Sequence, residues 1–317
     1  MFILAVVVIS LVVLVWWFQP GRCNSTARLD GKIVIITGAN TGIGKETAKD
    51  LLLRGATVIM ACRDMTKGQK AKDEICEETN IDKDKAIVQK LDLSSLKSVD
   101  EFVEGFCKEF SQLHILVNNA GVMMCPYSKT EDGFELQIGV NHFGHFALTN
   151  LLLPKMKSSG NARIVNLSSR GHIDFPYLDL NDLNWEKKKY SDLYSYSQSK
   201  LCNVLFTKEL HRKLVGSDIT VYSVHPGAVA TELLRNKPYI EYTLRLLMPI
   251  FLSYFVKSPK DGAQTSIYCC VEDIEHLSGE YFSDCQQKAS HKMTYDEGYA
   301  KKLWEISEES TNVKFSV

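Results

Sequence analysis

The pattern of apolar and polar positions divides the chain into a short apolar N-terminal segment and a long region in which strands alternate with helices. Six runs rich in β-branched and aliphatic residues predict strands at 32–37, 57–61, 86–90, 114–117, 163–167 and 220–224. Buried strands separated by helical stretches predict one doubly wound, parallel-sheet α/β domain, which we assign to residues 32–317.

Apolar residues at helical spacing predict the main helices. They run from 95 to about 110, from about 132 to 157, from the region of Tyr196 to about 215, and from 298 to 309. The last of these carries Leu303, Trp304 and Ile306 on one face. We expect it either to pack on the domain or to form a dimer contact, as in a homo-oligomer.

The N-terminal segment is apolar from residue 2 to residue 18, interrupted only by Ser10, and predicts a transmembrane anchor at 1–20. A spanning helix needs roughly 17–25 such residues. Trp16 and Trp17 stand at its end, where interfacial aromatic residues are expected. A cleaved signal peptide is the alternative, but the segment lacks a basic start and a small-x-small cleavage site.

Basic residues follow the anchor but do not precede it. Arg22 and Arg28 lie in the short polar linker 21–31, and Lys32 opens the domain. The positive-inside rule therefore predicts that the large domain faces the cytosol.

Composition narrows the function classes. The 317 residues carry a formal net charge of −1, which gives no sign of nucleic-acid binding. Nine scattered cysteines without a C-x-x-C pair favour a reducing compartment. His142 and His145 lie three apart on a predicted helix without other ligands at metal-binding spacing. We therefore predict no metal site and interpret both histidines as lining or packing residues.

A glycine-rich turn joins the first strand to the first helix and predicts a dinucleotide site. Its residues are Gly38, Ala39, Asn40, Thr41, Gly42, Ile43 and Gly44. Glycines in a strand–turn–helix context allow a tight turn and a close approach of the backbone to a pyrophosphate, which then faces the helix N-terminus.

The end of the second strand predicts which dinucleotide is bound. Enzymes that use NAD place an acid here for the ribose 2′-hydroxyl, whereas an arginine accommodates the 2′-phosphate of NADP. The chain has Cys62 and Arg63 at this place, and Lys45 could add positive charge. Because Asp64 is discordant, the prediction of NADP(H) requires that its carboxylate point away or be paired.

Tyr196 and Lys200 are four residues apart, which places them on one face of a helix. A nearby ammonium favours the phenolate, so we expect the tyrosine pKa, about 10 when unperturbed, to move down. Such a tyrosine can exchange a proton with a carbinol oxygen. Other polar residues follow the ends of the predicted strands. Parallel sheets bind ligands at the carboxyl ends of their strands, so these residues are candidates for the same site.

These motifs together resemble the classical short-chain dehydrogenase/reductase family. They are T-G-x-x-x-G-I-G at 37–44, N-N-A-G at 118–121, Ser169, Tyr196-x-x-x-Lys200 and P-G-x-x-x-T at 226–231. The stretches A-C-R-D, V-N-H-F-G-H-F and L-S-G-E-Y-F-S-D-C further resemble the microsomal retinol dehydrogenases of the type 11 and type 12 branch. The resemblance implies a Rossmann-like fold and a location in the endoplasmic reticulum membrane.

The resemblance also implies a role for each motif residue. Tyr196 would be the general acid/base, and Lys200 would hold the nicotinamide ribose. Ser169 would bind the substrate carbonyl oxygen. The remaining implied contacts are a proton-relay water at Asn141, the adenine at Asp92, the cofactor-side backbone at Asn118 and the carboxamide at Thr231.

The segment 232–257 is rich in aromatic and aliphatic residues and has three interpretations: plain core, a lid over an apolar substrate, or a surface that dips into the bilayer. The resemblance implies NADPH-dependent reduction of retinal. Two alternatives remain open. The same machinery could act on a steroid or another lipid carbonyl, or the chain could be a catalytically silent NADP-binding scaffold.

Overall fold

The computed structural model describes residues 21–229 and 256–316. The predicted anchor at 1–20, Thr231 and most of the predicted lid at 232–257 lie outside these residues. Within the described part of the chain, no helix has both the length and the hydropathy that crossing a bilayer requires.

The six predicted strands are confirmed to within one residue at each end. In chain order the strands are β1 (Ile33–Thr37), β2 (Thr57–Cys62), β3 (Ala86–Lys90), β4 (Ile115–Asn118), β5 (Ala162–Leu167), β6 (Ile219–His225), β7 (Tyr281–Ser283) and β8 (Gln286–Lys288). The sequence analysis missed β7 and β8, because three residues are too few to show a periodic pattern. β8 pairs antiparallel with β7, so the sheet is not parallel throughout.

The helices of the described residues lie between and after these strands. They are α1 (Gly42–Leu53), α2 (Met65–Thr79), α3 (Leu96–Glu109), α4 (Gly144–Lys157), α5 (Gly171–Asp174), α6 (Asp192–Lys213), α7 (Pro259–Val271) and α8 (Glu297–Thr311). Short 3₁₀ turns occupy Lys83–Lys85, Glu275–Leu277 and Lys292–Tyr295. Ser95 caps α3, since its side chain accepts the N–H of Ser98.

The strand order is β3-β2-β1-β4-β5-β6-β7-β8, with all neighbours from β3 to β7 parallel. The chain runs outward from β1 to β3 and then returns to place β4 beside β1. The connections diverge between these two strands, and open α/β sheets bind ligands at the carboxyl ends of the strands at such a point. The glycine turn follows β1, and the N-N-A-G segment begins at the end of β4.

The two faces of the sheet are covered by different helices. One core contains side chains of α1, α2 and α7, and the other contains side chains of α3, α4 and α6 together with Trp304 of α8. Leu303 and Trp304 are buried and Ile306 is partly buried, so α8 packs on the domain as one of its two interpretations predicted.

The predicted helix from 132 to 157 differs from the structure at its start. Its first turn is Leu136–Ile138, followed by a π-helical turn at Gly139–Phe143 and then α4. The later start has a local cause. Gly133 has a φ of +87°, and the Glu135 side chain caps the N–H of Ile138. Asn141 lies inside the π-helical turn, a feature that often occurs at functional sites.

Candidate active site

The glycine turn requires glycines for two reasons: the conformation of its backbone and its close contacts with neighbouring atoms. Gly38 and Gly42 have φ values of +66° and +56°, a region that L side chains rarely adopt. A Cβ on Gly44 would lie 2.4 Å from the Gly38 carbonyl oxygen and 2.5 Å from Nδ2 of Asn119. The first turn of α1 therefore packs against the end of β1 in a space that admits no side chain.

Asn119, the residue after β4, holds this turn through its side chain. This role was not predicted from the sequence. Its amide nitrogen donates to the carbonyl oxygens of Thr37 at 2.7 Å and of Gly38 at 3.4 Å. The Asn118 side chain instead points into the core, where its Nδ2 donates to Thr149 Oγ1 and Asn166 Oδ1. The predicted contact of the Asn118 backbone with a cofactor stays a prediction.

The turn fits the pyrophosphate of a nicotinamide dinucleotide. Thr41 precedes α1 without capping it through its side chain, and the first turn carries no acidic residue. The N–H groups of that turn therefore have neither a cap from Thr41 nor an acidic side chain within the turn, which suits the binding of a phosphate. The space beside Gly44, too small for a Cβ, shows how closely backbone elements approach here.

At the end of β2, the structure meets the condition that the NADP prediction set for Asp64. The Asp64 carboxylate caps α2 by accepting the N–H of Lys67 at 3.0 Å. The Cys62 thiol is buried, and burial raises its pKa to about 11, so it carries no charge at neutral pH. Arg63 is exposed, and none of the described residues forms a hydrogen bond or ion pair with its guanidinium. Lys45 is paired with Glu74.

The tyrosine and lysine that were predicted to be catalytic are brought together on α6 with their side chains buried. Tyr196 is 7% exposed and Lys200 is 5% exposed. The Lys200 ammonium lies 5.8 Å from the centre of the Tyr196 ring and donates to the Leu167 carbonyl oxygen at 3.1 Å. Ser168 donates to the Lys200 carbonyl oxygen at 2.8 Å, which fixes α6 against the end of β5.

The expected fall of the tyrosine pKa is wrong for this form of the protein. Burial raises the pKa of Tyr196 to about 12, and a hydrogen bond with Ser169 offsets only part of the rise. Burial also lowers the pKa of Lys200 to about 8. The attraction of an ammonium for a phenolate favours a lower tyrosine pKa, but the cost of placing charges in the protein interior outweighs it here.

Ser169 lies at the end of β5, opposite Tyr196, as predicted. Its Oγ accepts the N–H of Gly171 at 3.1 Å. A Cβ on Gly171 would lie 3.4 Å from that oxygen and 3.7 Å from Cε1 of Tyr196. The Ser169 side chain also forms a hydrogen bond with Tyr196, so the two hydroxyls are neighbours and are suited to bind a single carbonyl oxygen.

The Asn141 side chain uses all its hydrogen-bonding atoms within the protein. Its Oδ1 accepts the N–H of Val122 at 2.9 Å, and its Nδ2 donates to the Val122 carbonyl oxygen and to Ser199 Oγ. Ser199 in turn donates to the Tyr196 carbonyl oxygen at 2.7 Å. Asn141 thus joins the 119–122 segment to α6, and the predicted water at this residue stays a prediction.

Two predicted cofactor contacts remain, those of Asp92 and Thr231. Asp92 follows β3, where its carboxylate accepts the N–H and the hydroxyl of Ser94 at 2.9 and 2.7 Å. Its proposed contact with adenine stays a prediction. Thr231 lies outside the described residues.

The long connection 170–193 is held to the domain by a buried acid that the sequence analysis missed. Glu135 is fully buried, and burial raises its pKa. Its carboxylate lies 3.0 Å from the Tyr190 hydroxyl and accepts the Ser195 hydroxyl at 2.8 Å. Tyr190 also lies 2.9 Å from the Cys125 carbonyl oxygen. The network fixes the start of α6, but no local sequence signal links residues so far apart.

Comparison with known proteins places these features in a family. The short chain dehydrogenase family matches residues 32–177. Retinol dehydrogenase 12 of Homo sapiens is 49% identical over 94% of this chain and 92% of its own length. Retinol dehydrogenase 11 of Homo sapiens is 50% identical over 91% of this chain and 88% of its own length.

A solved structure shows the same fold with a nicotinamide cofactor bound. It is the 3-ketoacyl-(acyl-carrier-protein) reductase of Brucella melitensis complexed with NADH. It aligns with a TM-score of 0.63 and 27% identity, covering 80% of this chain and 96% of that chain.

Proposed function

The chain belongs to the short chain dehydrogenase family and is an oxidoreductase that uses a nicotinamide cofactor, and from this premise we propose that it reduces retinal with NADPH. The proposed substrates are all-trans and cis retinal and related lipophilic aldehydes. The reaction is reversible, with retinol as the alcohol. The observation that carries the proposal is that the side chains of Ser169 and Tyr196 interact, with the Lys200 ammonium 5.8 Å from the centre of the Tyr196 ring. The substrate class rests on the relatives that are named retinol dehydrogenases.

The side chains can perform the protein's part of this reaction. When bound, the nicotinamide supplies the hydride to the carbonyl carbon. Tyr196 is protonated at neutral pH, because burial raises its pKa to about 12, and it can therefore donate the proton to the carbonyl oxygen. Ser169 donates a hydrogen bond to the same oxygen. Lys200 provides a positive charge that stabilises the phenolate left on Tyr196.

The preference for NADPH is supported by the charges at the end of β2. Arg63 is exposed and unpaired among the described residues, and the neighbouring acid caps a helix. An arginine fork matches the geometry of a phosphate, whereas a neutral Cys62 thiol does not repel it. The proposed cofactor residues are therefore Arg63 for the 2′-phosphate and Gly38–Gly44 for the pyrophosphate.

We also propose that residues 1–20 anchor the chain in the endoplasmic reticulum membrane, with the catalytic domain in the cytosol. The apolar run 2–18 and the basic residues after it support this topology. Carbonate extraction of membranes tests the anchor. The full-length chain should stay in the membrane pellet, and its release into the soluble fraction would contradict the proposal.

The direct test is NADPH consumption by the full-length protein in detergent. The assay uses all-trans-retinal, a medium-chain aldehyde and a ketosteroid, each with NADPH and with NADH. Turnover of retinal with NADPH and little with NADH would support the proposal. Activity on the ketosteroid alone would keep the mechanism and replace the substrate. Binding of NADPH without turnover of any carbonyl would favour the silent scaffold.

A further inference from the structure

One buried histidine connects the two halves of the site. The Nε2 atom of His145 lies 2.9 Å from the Thr37 hydroxyl, and its Nδ1 atom lies 3.1 Å from the Asn141 carbonyl oxygen. Thr37 ends β1 at the glycine turn, and Asn141 contacts the catalytic helix through Ser199. His145 is 3% exposed, so its ring lies in the protein interior.

The partners of His145 determine where its proton lies. A carbonyl oxygen can only accept, so Nδ1 must carry the hydrogen and donate it to Asn141. The Thr37 hydroxyl already accepts the N–H groups of Asn119 and Ala120, each at 2.9 Å. The Thr37 hydroxyl is therefore left with its own hydrogen to donate. Of the two acceptors within reach, the unprotonated Nε2 of His145 is the nearer.

The ring is neutral in this position. The pKa of His145 is lowered to about 3, chiefly by burial and also by the nearby Lys200 ammonium, while the bond to the Asn141 carbonyl opposes the fall. A neutral ring with a hydrogen on Nδ1 alone has one donor and one acceptor. The donor meets the Asn141 carbonyl oxygen, and the acceptor meets the Thr37 hydroxyl.

The hydrogen bonds of His145 connect the two residues that hold the ends of the 119–122 segment. Thr37 holds the first two residues of this segment through their N–H groups. Asn141 holds its last residue, Val122, through both N–H and carbonyl oxygen. His145 links Thr37 to Asn141. The end of β1 at the glycine turn is thereby fixed relative to Asn141, which contacts the helix that carries Tyr196.

We propose that His145 is a positioning residue, whose neutral ring holds the 119–122 segment and Asn141 in the register that proton transfer at Tyr196 requires. It touches neither substrate nor cofactor and acts through Thr37 and Asn141. The inference rests on the proposed reductase function for its kinetic consequence, but not for its structural one.

The chain offers a matched control one helical turn away. His142 is also buried, and burial lowers its pKa to about 3. Its Nε2 lies 2.8 Å from the hydroxyl of Ser307 in α8, away from the cofactor turn. Loss of a buried imidazole from either position should weaken the fold, but only the change at His145 should disturb the site.

The first test uses the full-length protein without cofactor. Nitrogen-15 NMR of labelled histidines should show His145 with its hydrogen on Nδ1, and a ring with its hydrogen on Nε2 would overturn the proposal. Hydrogen exchange of the amides at 119, 120 and 122 should be faster in His145→Phe than in wild type and in His142→Phe. Equal exchange in the two variants would likewise overturn it.

The second test measures retinal reduction with NADPH. His145→Phe should lower kcat about tenfold while changing KM less, since the loss of a buried hydrogen-bonding link misplaces the proton donor. His145→Gln retains a donor and an acceptor and should recover part of kcat, which also covers the case in which the phenylalanine variant does not fold. Equal kcat losses in His142→Phe and His145→Phe would overturn the positioning role. A wild-type protein that turns over none of the carbonyls would refute the reductase function, while the NMR and exchange results would still decide the inference.

Discussion

The glycine turn and helix α6, which carries Tyr196 and Lys200, lie at the same edge of the sheet but are built on opposite principles. The turn depends on atoms that are missing, since a Cβ on Gly44 would lie 2.4 Å from a backbone oxygen. The helix depends on buried polar side chains that are paired across long stretches of sequence, such as Asn141 with Ser199.

This difference teaches how each region resists change. Adding one methyl group should damage the turn, because backbone atoms have no room to move aside. The helix should tolerate changes of shape better than the loss of a donor, because each buried polar group left alone costs free energy. Cofactor affinity and turnover should therefore respond to different substitutions.

The largest separation is expected at Tyr196. Tyr196→Phe keeps the ring and removes the proton donor, so kcat should fall about 10²–10⁴-fold while the affinity for NADPH stays near that of wild type. Steady-state kinetics and fluorescence titration measure the two quantities. Tyr194→Phe is the control: Tyr194 is 44% exposed, and loss of its hydroxyl should change kcat by less than about twofold. If NADPH affinity and kcat fell together in Tyr196→Phe, the two regions would not be separable.

The converse is expected at Gly44. Gly44→Ala should weaken NADPH binding about ten- to a hundredfold, because the new Cβ forces the Gly38 carbonyl and Asn119 out of place. Gly105 in α3 provides the control, since a Cβ there meets nothing within 4 Å. Gly105→Ala should leave affinity unchanged and stabilise the fold by about 0.5–1 kcal/mol. Unchanged NADPH affinity in Gly44→Ala would show that the turn accommodates a side chain.

The same contrast explains what could be predicted from sequence. The turn and the Tyr196–Lys200 pair depend on spacings within a few residues, which a single sequence displays. The contacts of His145 and Glu135 do not: Thr37 and His145 are 108 residues apart, and Glu135 and Tyr190 are 55 apart. His145 was therefore interpreted only as a lining or packing residue. The pKa of Tyr196 was also predicted in the wrong direction, since burial is a property of the folded chain.

A smaller effect is expected at the outer end of the cofactor site. Arg63→Glu should reduce affinity for NADPH about tenfold more than affinity for NADH, because only NADPH loses a charge-assisted bond. Lys70→Glu makes the same charge change on α2, at a side chain that is 78% exposed. It should affect both cofactors alike and weakly. Equal losses for both cofactors in Arg63→Glu would remove the assigned role of Arg63.

The smallest effect near neutral pH concerns the charge of Lys200. Because burial lowers its pKa to about 8, the ammonium is present below pH 8 and is lost above it. The kcat/KM for reduction should thus be about half maximal at pH 8 and continue to fall as the pH rises. Tyr196, with a pKa of about 12, stays protonated through this range.

The pH dependence of stability distinguishes this titration from alkaline unfolding. Between pH 8 and 10.5, the usual pKa of lysine, the unfolded chain keeps a proton that folded Lys200 has lost. The contribution of Lys200 to the free energy of unfolding therefore rises with pH while activity falls. Lys200→Arg keeps its charge and should lose the alkaline fall in kcat/KM. If that fall persisted in the variant, another group would control it, and the catalytic helix would not depend on the buried charge.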